Sequence, residues 1–265
     1  MIRDITIGQY YPAKSILHKL DPRVKLVSTL LYLISLFLVN NIWGYVVATI
    51  FLVVVIRLSK VPFSYIVRGL KPIVMLLMIT VIFNLFLTRS GDVLFSFWIF
   101  TVTEGGLRIA VLMAVRLIYL IIGSSLMTFT TTPNELTDGI EALLQPLNKI
   151  HVPVHEIAMM MSIALRFIPI LLEETDKIMK AQIARGADLE SGNMIQKAKS
   201  MIPILVPLFV SAFRRANDLA MAMEARCYRG GEGRTKMKPL HYERYDWIAY
   251  GIMILYVAAA VIIGR

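Results

Sequence analysis

Two arginines occupy similar positions at the ends of two long helical patterns. Arg185 lies in AQIARGADLESG at residues 181–192, and Arg226 lies forty-one positions later in AMEARCYRGGEG at residues 222–233. Each arginine follows an alanine and precedes a small or compact residue. Such a guanidinium can complement the helix dipole, or it can enter a groove and form a bidentate pair with a carboxylate. Because the arrangement occurs twice, we favour docking into two similar grooves of a dimeric or pseudo-dimeric partner.

Other residues that could carry chemistry are sparse. Arg116 is the one charge well inside an apolar run, IAVLMAVRLIYLIIG, where a charge faces protein or a cavity unless its side chain reaches the interface. The four histidines have no metal-binding spacing, and the single cysteine excludes an internal disulfide. No GxxxxGK[ST] loop is present, and GGEGRTK at residues 230–236 resembles one only in composition. The sequence predicts a chain that is not an enzyme and binds no metal or cofactor.

The composition indicates an integral membrane protein. Of the 265 residues, 57% are hydrophobic, and they gather into long apolar runs. The formal net charge of +10 would also suit a nucleic-acid-binding protein. The basic residues, however, are spread across the turns between apolar runs, as they are on the cytoplasmic side of membrane proteins. We therefore expect no nucleic-acid partner, and the N-terminus lacks the apolar core of a cleaved signal peptide.

Five apolar segments predict membrane-spanning helices. Residues 26–56 carry no charge and would form a helix of roughly 46 Å, too long for one crossing of a ~30 Å hydrocarbon core. Asn40, Asn41 and Gly44 supply a turn that makes a hairpin of two spans. The other predicted spans are residues 73–88, 109–129 and 247–263. Residues 93–102 are apolar but too short to cross, and they are predicted to be an interfacial or re-entrant piece.

Lysine and arginine predict a cytoplasmic N-terminus. Residues 1–25 hold five of them and the second connection holds four, whereas the turn between the first two spans holds none. After four spans the chain returns to the cytoplasm, and the last span leaves the C-terminus outside. We expect a four-span membrane region at 1–129, a cytoplasmic region at 130–245 and a final span at 246–265.

The cytoplasmic region predicts three helices. The first begins at Thr132, with Pro133 in its first turn and Glu135 completing a capping box. The stretches 154–172 and 201–213 are interrupted by charge or too short to span, so we interpret each as the apolar half of a longer helix. The methionine-rich part of these helices suggests an adaptable surface for another membrane protein. Prolines within the two helices are expected to bend them, at Pro169, Pro203 and Pro207.

These features resemble the transmembrane T component (EcfT) of energy-coupling factor vitamin transporters. The resemblance covers essentially the whole chain. It rests on GQYYPAKSILHKLDPRVKL at residues 8–26, on the two Ala-Arg-X endings, and on four spans followed by cytoplasmic helices and a final span. It implies an all-α integral membrane protein with about five transmembrane helices and three cytoplasmic coupling helices inserted before the last span. In the N-terminal motif, Asp21 can cap and Pro22 can begin the first membrane helix.

The resemblance also implies a non-catalytic subunit of an ATP-driven importer in the cell membrane. Two cytoplasmic ABC-type ATPase subunits, which carry ATP and Mg, would dock on the two motifs and drive a separate membrane-embedded subunit that binds the vitamin. The docking residues carried over are Ala184, Arg185 and Gly186 in the first motif and Ala225, Arg226 and Cys227 in the second. Candidate contacts with the substrate-binding subunit are Met159, Met160, Met161, Met201 and Arg116. Cys227 replaces the family's glycine, which puts in doubt any role there that needs glycine's backbone freedom.

Three alternatives remain open at this point. The chain could be a T component dedicated to one substrate, of the biotin or cobalt type, rather than one shared among several vitamins. It could be a membrane scaffold or enzyme that works without ATPases, in which case Arg185 and Arg226 would tolerate substitution. It could be a permease that binds substrate itself, although the spans offer little polar lining beyond Asn84 and Arg116.

Overall fold

Long uncharged runs and well-placed caps make the described part of the chain almost entirely helical. The structure is a computed structural model that describes residues 10–87, 93–97, 100–187, 193–231, 237 and 239–264. These divide into two units by their contacts: a bundle unit within 8–142 and 240–265, and a two-helix unit within 143–239. Predictions that concern residues 1–9, Arg89 or 232–236 lie outside the described residues.

The predicted all-α membrane class is confirmed, with one short hairpin added. The helices are α1 (Ile16–Lys19), α2 (Pro22–Leu38), α3 (Ile42–Ser59), α4 (Phe63–Leu70), α5 (Val74–Leu87), α6 (Glu104–Thr130), α7 (Pro133–Leu144), α8 (Val154–Ala184), α9 (Met194–Ala225) and α10 (Arg244–Gly264). The strands are β1 (Val93–Phe97) and β2 (Phe100–Thr103), which pair antiparallel with a register shift near Val93. Most of residues 93–102 thus belongs to a hairpin, and its place relative to a membrane stays a prediction.

Five helices among the described residues are long and apolar enough to cross a membrane: α3, α6, α8, α9 and α10. α2 has 17 residues and forms the predicted hairpin with α3. The predicted third span, 73–88, corresponds to the single helix α5, which has 14 residues and follows α4 at a bend of 60°. Pro72 lies at this break. Because proline has no N–H, it cannot donate to the carbonyl of Arg68 as a residue of a continuous helix would.

The turn between α2 and α3 is shorter than expected. Asn40 and Asn41 lie in it, but Gly44 is inside the first turn of α3. A Cβ at Gly44 would lie 2.7 Å from the Cα of Gly264 and 2.6 Å from a methyl carbon of Val39. Gly44 is therefore needed for the close approach of α3 to α10, as small residues are in other membrane helix pairs.

The first and last predicted spans run parallel. Asp21 caps α2 by accepting from the N–H of Arg23 at 2.8 Å, and its own N–H donates to the buried carboxylate of Asp246 at 2.9 Å, at the start of α10. At the opposite ends of the two helices, the N–H of Asn40 donates to the carbonyl of Gly264 at 3.0 Å. The predicted roles of Asp21 and Pro22 as cap and first helical residue are confirmed.

Within the bundle unit, α6 ends and α10 begins near the start of α2. Near the end of α6, the carbonyl of Thr130 accepts from Lys25 Nζ at 2.9 Å, close to the start of α2. α7 follows with its predicted capping box: the N–H of Glu135 donates to Thr132 Oγ1, and the N–H of Thr132 donates to the Glu135 carboxylate. Because α10 also starts beside Asp21, residues 131–243 begin and end at the end of the bundle where α2 starts.

Candidate functional site

The ends of α8 and α9 have the same backbone geometry. Arg185 and Arg226 are the C-cap residues, with φ and ψ of −87° and 5° at the first and −95° and 15° at the second. The following residue is left-handed in both, with φ of 87° at Gly186 and 56° at Cys227. The doubt about the missing glycine is thereby answered for the backbone, since Cys227 adopts the conformation that glycine favours.

The hydrogen bonds at the two ends also correspond. The first residue after each arginine donates to the carbonyl three residues back, and the second donates to the carbonyl five residues back. The N–H to carbonyl pairs are Gly186 to Ile183 at 2.9 Å, Ala187 to Gln182 at 3.0 Å, Cys227 to Glu224 at 2.9 Å and Tyr228 to Met223 at 3.0 Å. This is the Schellman pattern at both ends, which satisfies carbonyls that a helix terminus would otherwise leave free.

Both ends present their arginines to solvent. All six residues of the two motifs, Ala184 to Gly186 and Ala225 to Cys227, are exposed. Within the described ranges neither arginine forms an ion pair. The alanines leave the arginine without a bulky neighbour, and the left-handed residue turns the chain away just beyond it. The geometry suits insertion of a helix end carrying one guanidinium into a groove with an acidic group.

α8 and α9 pack side by side in opposite directions. The Glu174 carboxylate accepts from Ser211 Oγ at 2.5 Å and from Arg215 Nη2 at 2.9 Å. Further along α8, Gln182 Nε2 donates to the carbonyl of Pro203 at 3.3 Å. As the residue number rises on α8 it falls on α9, so the helices are antiparallel. Pro169, Pro203 and Pro207 lie within these two helices.

A proline in α9 explains the last of these contacts. Pro207 has no N–H, so the carbonyl of Pro203, one turn earlier, lacks its usual donor within the helix. The side-chain amide of Gln182 supplies a donor from α8. The proline therefore opens a hydrogen-bonding position on α9 that the neighbouring helix fills, and the contact helps to fix their register.

The number of residues between Arg185 and Arg226 equals the number between Glu174 and Arg215, which join their two helices. Glu174 and Arg215 are forty-one residues apart, as are Arg185 and Arg226. Equivalent positions of two antiparallel helices therefore touch, which places a local pseudo-twofold axis at the Glu174–Arg215 pair. Arg185 and Arg226 each lie eleven residues beyond their member of the pair, or roughly 16 Å at 1.5 Å per residue. The two ends are thus roughly 33 Å apart along the pair.

Glu173 and Glu174 are neighbours in α8 but lie in different environments. Glu173 is exposed, but the Glu174 side chain is only 22% exposed. The hydrogen bond from Ser211, together with the bond and charge of Arg215, holds the pKa of the Glu174 carboxyl below its usual range. The sequence signal for this contact was available, because Glu-Glu at 173–174 is forty-one positions from Arg-Arg at 214–215.

The candidate methionine surface is largely exposed. Met160, Met161 and Met201 are exposed by 57%, 41% and 58%, whereas Met159 is half-buried. On α9 the exposed apolar surface continues past Met201 with large side chains: Ile202, Leu205, Val206, Phe209, Val210 and Phe213. An apolar area of this extent on a single chain is typical of a surface that another protein or a membrane covers.

Arg116 belongs to the bundle unit, where neighbours hold its guanidinium. Its Nε donates to Tyr45 Oη at 2.9 Å and its Nη2 donates to the carbonyl of Val39 at 2.9 Å. These bonds join α6 to the end of α2 and to α3. They give Arg116 a structural role in place, and a contact with another subunit stays a prediction.

The possible metal ligands do not cluster in the described part of the chain. Among those residues, no group of three or more His, Cys, Asp or Glu side chains is placed to hold a metal ion. Cys227 is an exposed free cysteine at the end of α9. The features that stand out as a site are therefore the two helix ends and the apolar surface of the helices that carry them.

Comparison with known proteins gives concordant matches over most of the chain. The CbiQ family, described as cobalt transport protein, matches residues 13–237. An energy-coupling factor transporter transmembrane protein (EcfT) of Clostridium kluyveri is 61% identical over 250 residues, covering 94% of this chain and 93% of the relative. Proteins of the same name from Ruminiclostridium cellulolyticum and Bacillus subtilis are 55% and 50% identical, covering 97% and 93% of this chain and 96% and 93% of the relatives.

Proposed function

Since the chain belongs to the family of energy-coupling factor transporter transmembrane proteins, we propose that it is the coupling subunit of an ATP-driven vitamin importer. The chain is a multi-pass membrane subunit of a transporter, and this implies that it has no catalytic role itself. In this proposal two cytoplasmic ABC-type ATPase subunits bind ATP and Mg and hydrolyse the ATP. The chain passes their motion to a separate membrane-embedded subunit that binds the substrate.

The two matching helix ends carry this proposal. Two ATPase subunits of similar structure offer two similar grooves, and the chain offers two similarly capped arginines, Arg185 and Arg226, roughly 33 Å apart. A groove carboxylate would pair with each guanidinium. Truncating one partner of such a desolvated pair costs about 2–5 kcal/mol of binding. Each arginine is therefore expected to contribute strongly to capture of one ATPase.

The antiparallel packing supports a cytoplasmic position for α8 and α9, although both could span a membrane by length and composition. The apolar half of each helix lies at its N-terminal side. Because Gln182 contacts Pro203, the apolar half of α9 lies beside the polar half of α8. If one apolar half crossed the hydrocarbon, the charged half of its neighbour would lie in it too, at a cost of several kcal/mol. Helices that lie along the cytoplasmic face avoid this cost.

The apolar halves of α8 and α9, which lie towards opposite ends of the antiparallel pair, are both proposed to contact the substrate-binding subunit. Met160 and Met161 are exposed on α8 and Met201 is exposed on α9, and flexible thioether side chains adapt to partners of different shape. This supports a subunit shared among several substrate-binding partners. We propose the cell membrane as the location, with the N-terminus in the cytoplasm and the C-terminus outside.

Capture of the ATPases tests the docking. The full chain would be co-purified with the two ATPase subunits of its own organism, comparing wild type with Arg185→Glu, Arg226→Glu and the double variant. Each single change should weaken capture and the double change should abolish it. Lys180→Glu and Arg214→Glu, which alter exposed charges within the same helices, are the matched controls and should capture normally. Full capture by a well-folded double variant would contradict the proposal.

A dedicated rather than shared subunit is the second candidate, because the matching family is described by cobalt transport. A dedicated subunit would co-purify with one substrate-binding protein only. The shared subunit proposed here should co-purify with several when each is co-expressed with the ATPases. Competition between two differently tagged substrate-binding proteins for one pool of the chain would separate the cases.

A further inference from the structure

We propose that Glu174, Ser211 and Arg215 form the pivot between the two docking arms and act as positioning residues in coupling. The inference rests on the proposed function and adds to it a cluster that touches neither ATPase nor substrate in the proposal. The pivot lies where equivalent positions of α8 and α9 meet. Its task is to keep the two arginine ends at equal distances from that point.

The carboxylate of Glu174 accepts hydrogen bonds from two successive turns of α9. One oxygen accepts from Ser211 and the other from Arg215, and these donors are four residues apart on one helix face. A slip of one helix against the other by a turn would break both bonds. Because the helices are antiparallel, such a slip would also change the distance between Arg185 and Arg226 by about 5–6 Å.

Opposite charges meet at the local axis, where two helices of the same sequence would bring like charges together. An unaltered repeat would place the same residue on both helices at the axis, and like charges there would repel. This chain instead has Glu173 and Glu174 on α8 where α9 has Arg214 and Arg215. The two helices therefore carry opposite charges where they touch, although both keep an arginine at their C-terminal end.

The pivot contributes more to register than to folding stability. The side chains of Glu174 and Arg215 are 22% and 41% exposed, and partly exposed ion pairs stabilise proteins only weakly. Losing the pair should therefore leave the chain folded and both arginines available. What it should lose is a defined separation between them, so ATPase movement would be transmitted less efficiently to the substrate-binding subunit.

Charge reversal and charge exchange test the pivot. Glu174→Arg and Arg215→Glu should each retain ATPase capture but lower substrate uptake per ATP hydrolysed by about fivefold or more. The double variant Glu174→Arg/Arg215→Glu should restore coupling, since the two positions are related by the local axis. Glu173→Arg, an exposed neighbour with the same charge change, is the matched control. Glu174→Gln is the mild variant, and it keeps a group that can accept from Ser211.

A distance measurement separates this inference from the docking proposal. Cys227 is the only cysteine, and Gly186→Cys adds a second spin-label site at the equivalent position of α8. In the isolated full chain in nanodiscs, Glu174→Arg should broaden the distance distribution or shift it by about 5–6 Å, and the exchange should restore it. Unchanged distances and coupling in Glu174→Arg, or failure of the exchange, would overturn the pivot. Failed ATPase capture by the wild type would instead overturn the docking proposal.

Discussion

The two arginines proposed to dock, Arg185 and Arg226, are alike in backbone conformation more than in sequence. Gly186 and Cys227 have different side chains, but both have a left-handed backbone and make the same capping bond. A side chain in that conformation costs roughly 1–2 kcal/mol relative to the right-handed region. The strain at Cys227 indicates that the surrounding cap determines its conformation, and that the direction of Arg226 depends on it.

Substitutions at these two residues should reveal that strain. Cys227→Gly is expected to stabilise the folded chain by about 1 kcal/mol or less, because the relief of strain is partly offset by the greater freedom of glycine when unfolded. Gly186→Ala should destabilise it by about 1 kcal/mol, as its φ of 87° is unfavourable for any side chain. Thermal unfolding of the purified chain in detergent would measure both.

Cys227→Ala is the control for the thiol itself. It keeps a side chain in the left-handed conformation and should unfold close to wild type. If Cys227→Ala and Cys227→Gly stabilised the chain equally, the thiol and not the backbone would be responsible, and the two ends would differ more than the capping bonds suggest.

The residue-level features were partly predictable from sequence. Arg185 and Arg226 stand out because a charge recurs in the same context forty-one positions apart. The contact between Glu174 and Arg215 was not predicted, since sequence periodicity gives the face of a helix but not the face of the neighbour that it meets. Antiparallel packing, which supplies that information, is visible only in the folded chain.

The packing of the helices in the bundle unit depends on close approach at a few points. The start of α3 and the end of α10 meet at Gly44 and Gly264, where neither residue has room for a Cβ. The neighbour of Gly44 at this point is backbone, so it cannot move aside as a flexible side chain could. This contact closes the end of the bundle where α2 turns into α3.

Gly44→Ala is therefore expected to destabilise the bundle by about 1–3 kcal/mol, the usual cost of overpacking. Gly251→Ala is the matched control, because it lies in α10 with open space around its Cβ position. It should be neutral or slightly stabilising, since alanine favours helix over glycine. Equal unfolding temperatures for the two variants would show that α3 and α10 do not approach as closely as described.

Helix boundaries with capping residues were predictable, and breaks and pairings were less so. Asp21 and the Thr132–Glu135 box act locally, and both are confirmed. The break between α4 and α5 at Pro72 lies in the connection predicted before the third span, and helix α4 within that connection was not predicted. The hairpin of β1 and β2 lies in a short apolar stretch, where alternation and length do not separate strand from buried helix.

The course of the chain through the membrane follows from the ends of the bundle unit. α2 and α10 begin at the same end, and α6 finishes there. With the excess of lysine and arginine in residues 1–25, that end is predicted to face the cytoplasm. A reporter fused after Thr131 should then be cytoplasmic, and one fused after Arg265 should lie outside.

Paired reporters can measure this orientation. Green fluorescent protein should fluoresce after Thr131, and alkaline phosphatase should be active after Arg265 but not after Thr131. The chain between the two fusion points contains α7, the two-helix unit and the last span, so the two reporters also show whether that span crosses. Alkaline phosphatase activity at both points, or at neither, would contradict the predicted topology.

The most direct measurement uses the native cysteine at one of the two helix ends proposed to dock. Cys227 is exposed and unique, so its maleimide labelling rate reports whether an ATPase covers the end of α9. Rates would be compared in membrane vesicles with and without both ATPases bound. The control is Met237→Cys in a Cys227→Ala chain, because Met237 is fully exposed and belongs to neither α9 nor α10. We predict strong protection of Cys227 and none at the control; equal labelling of Cys227 in the assembled complex would contradict docking at this end.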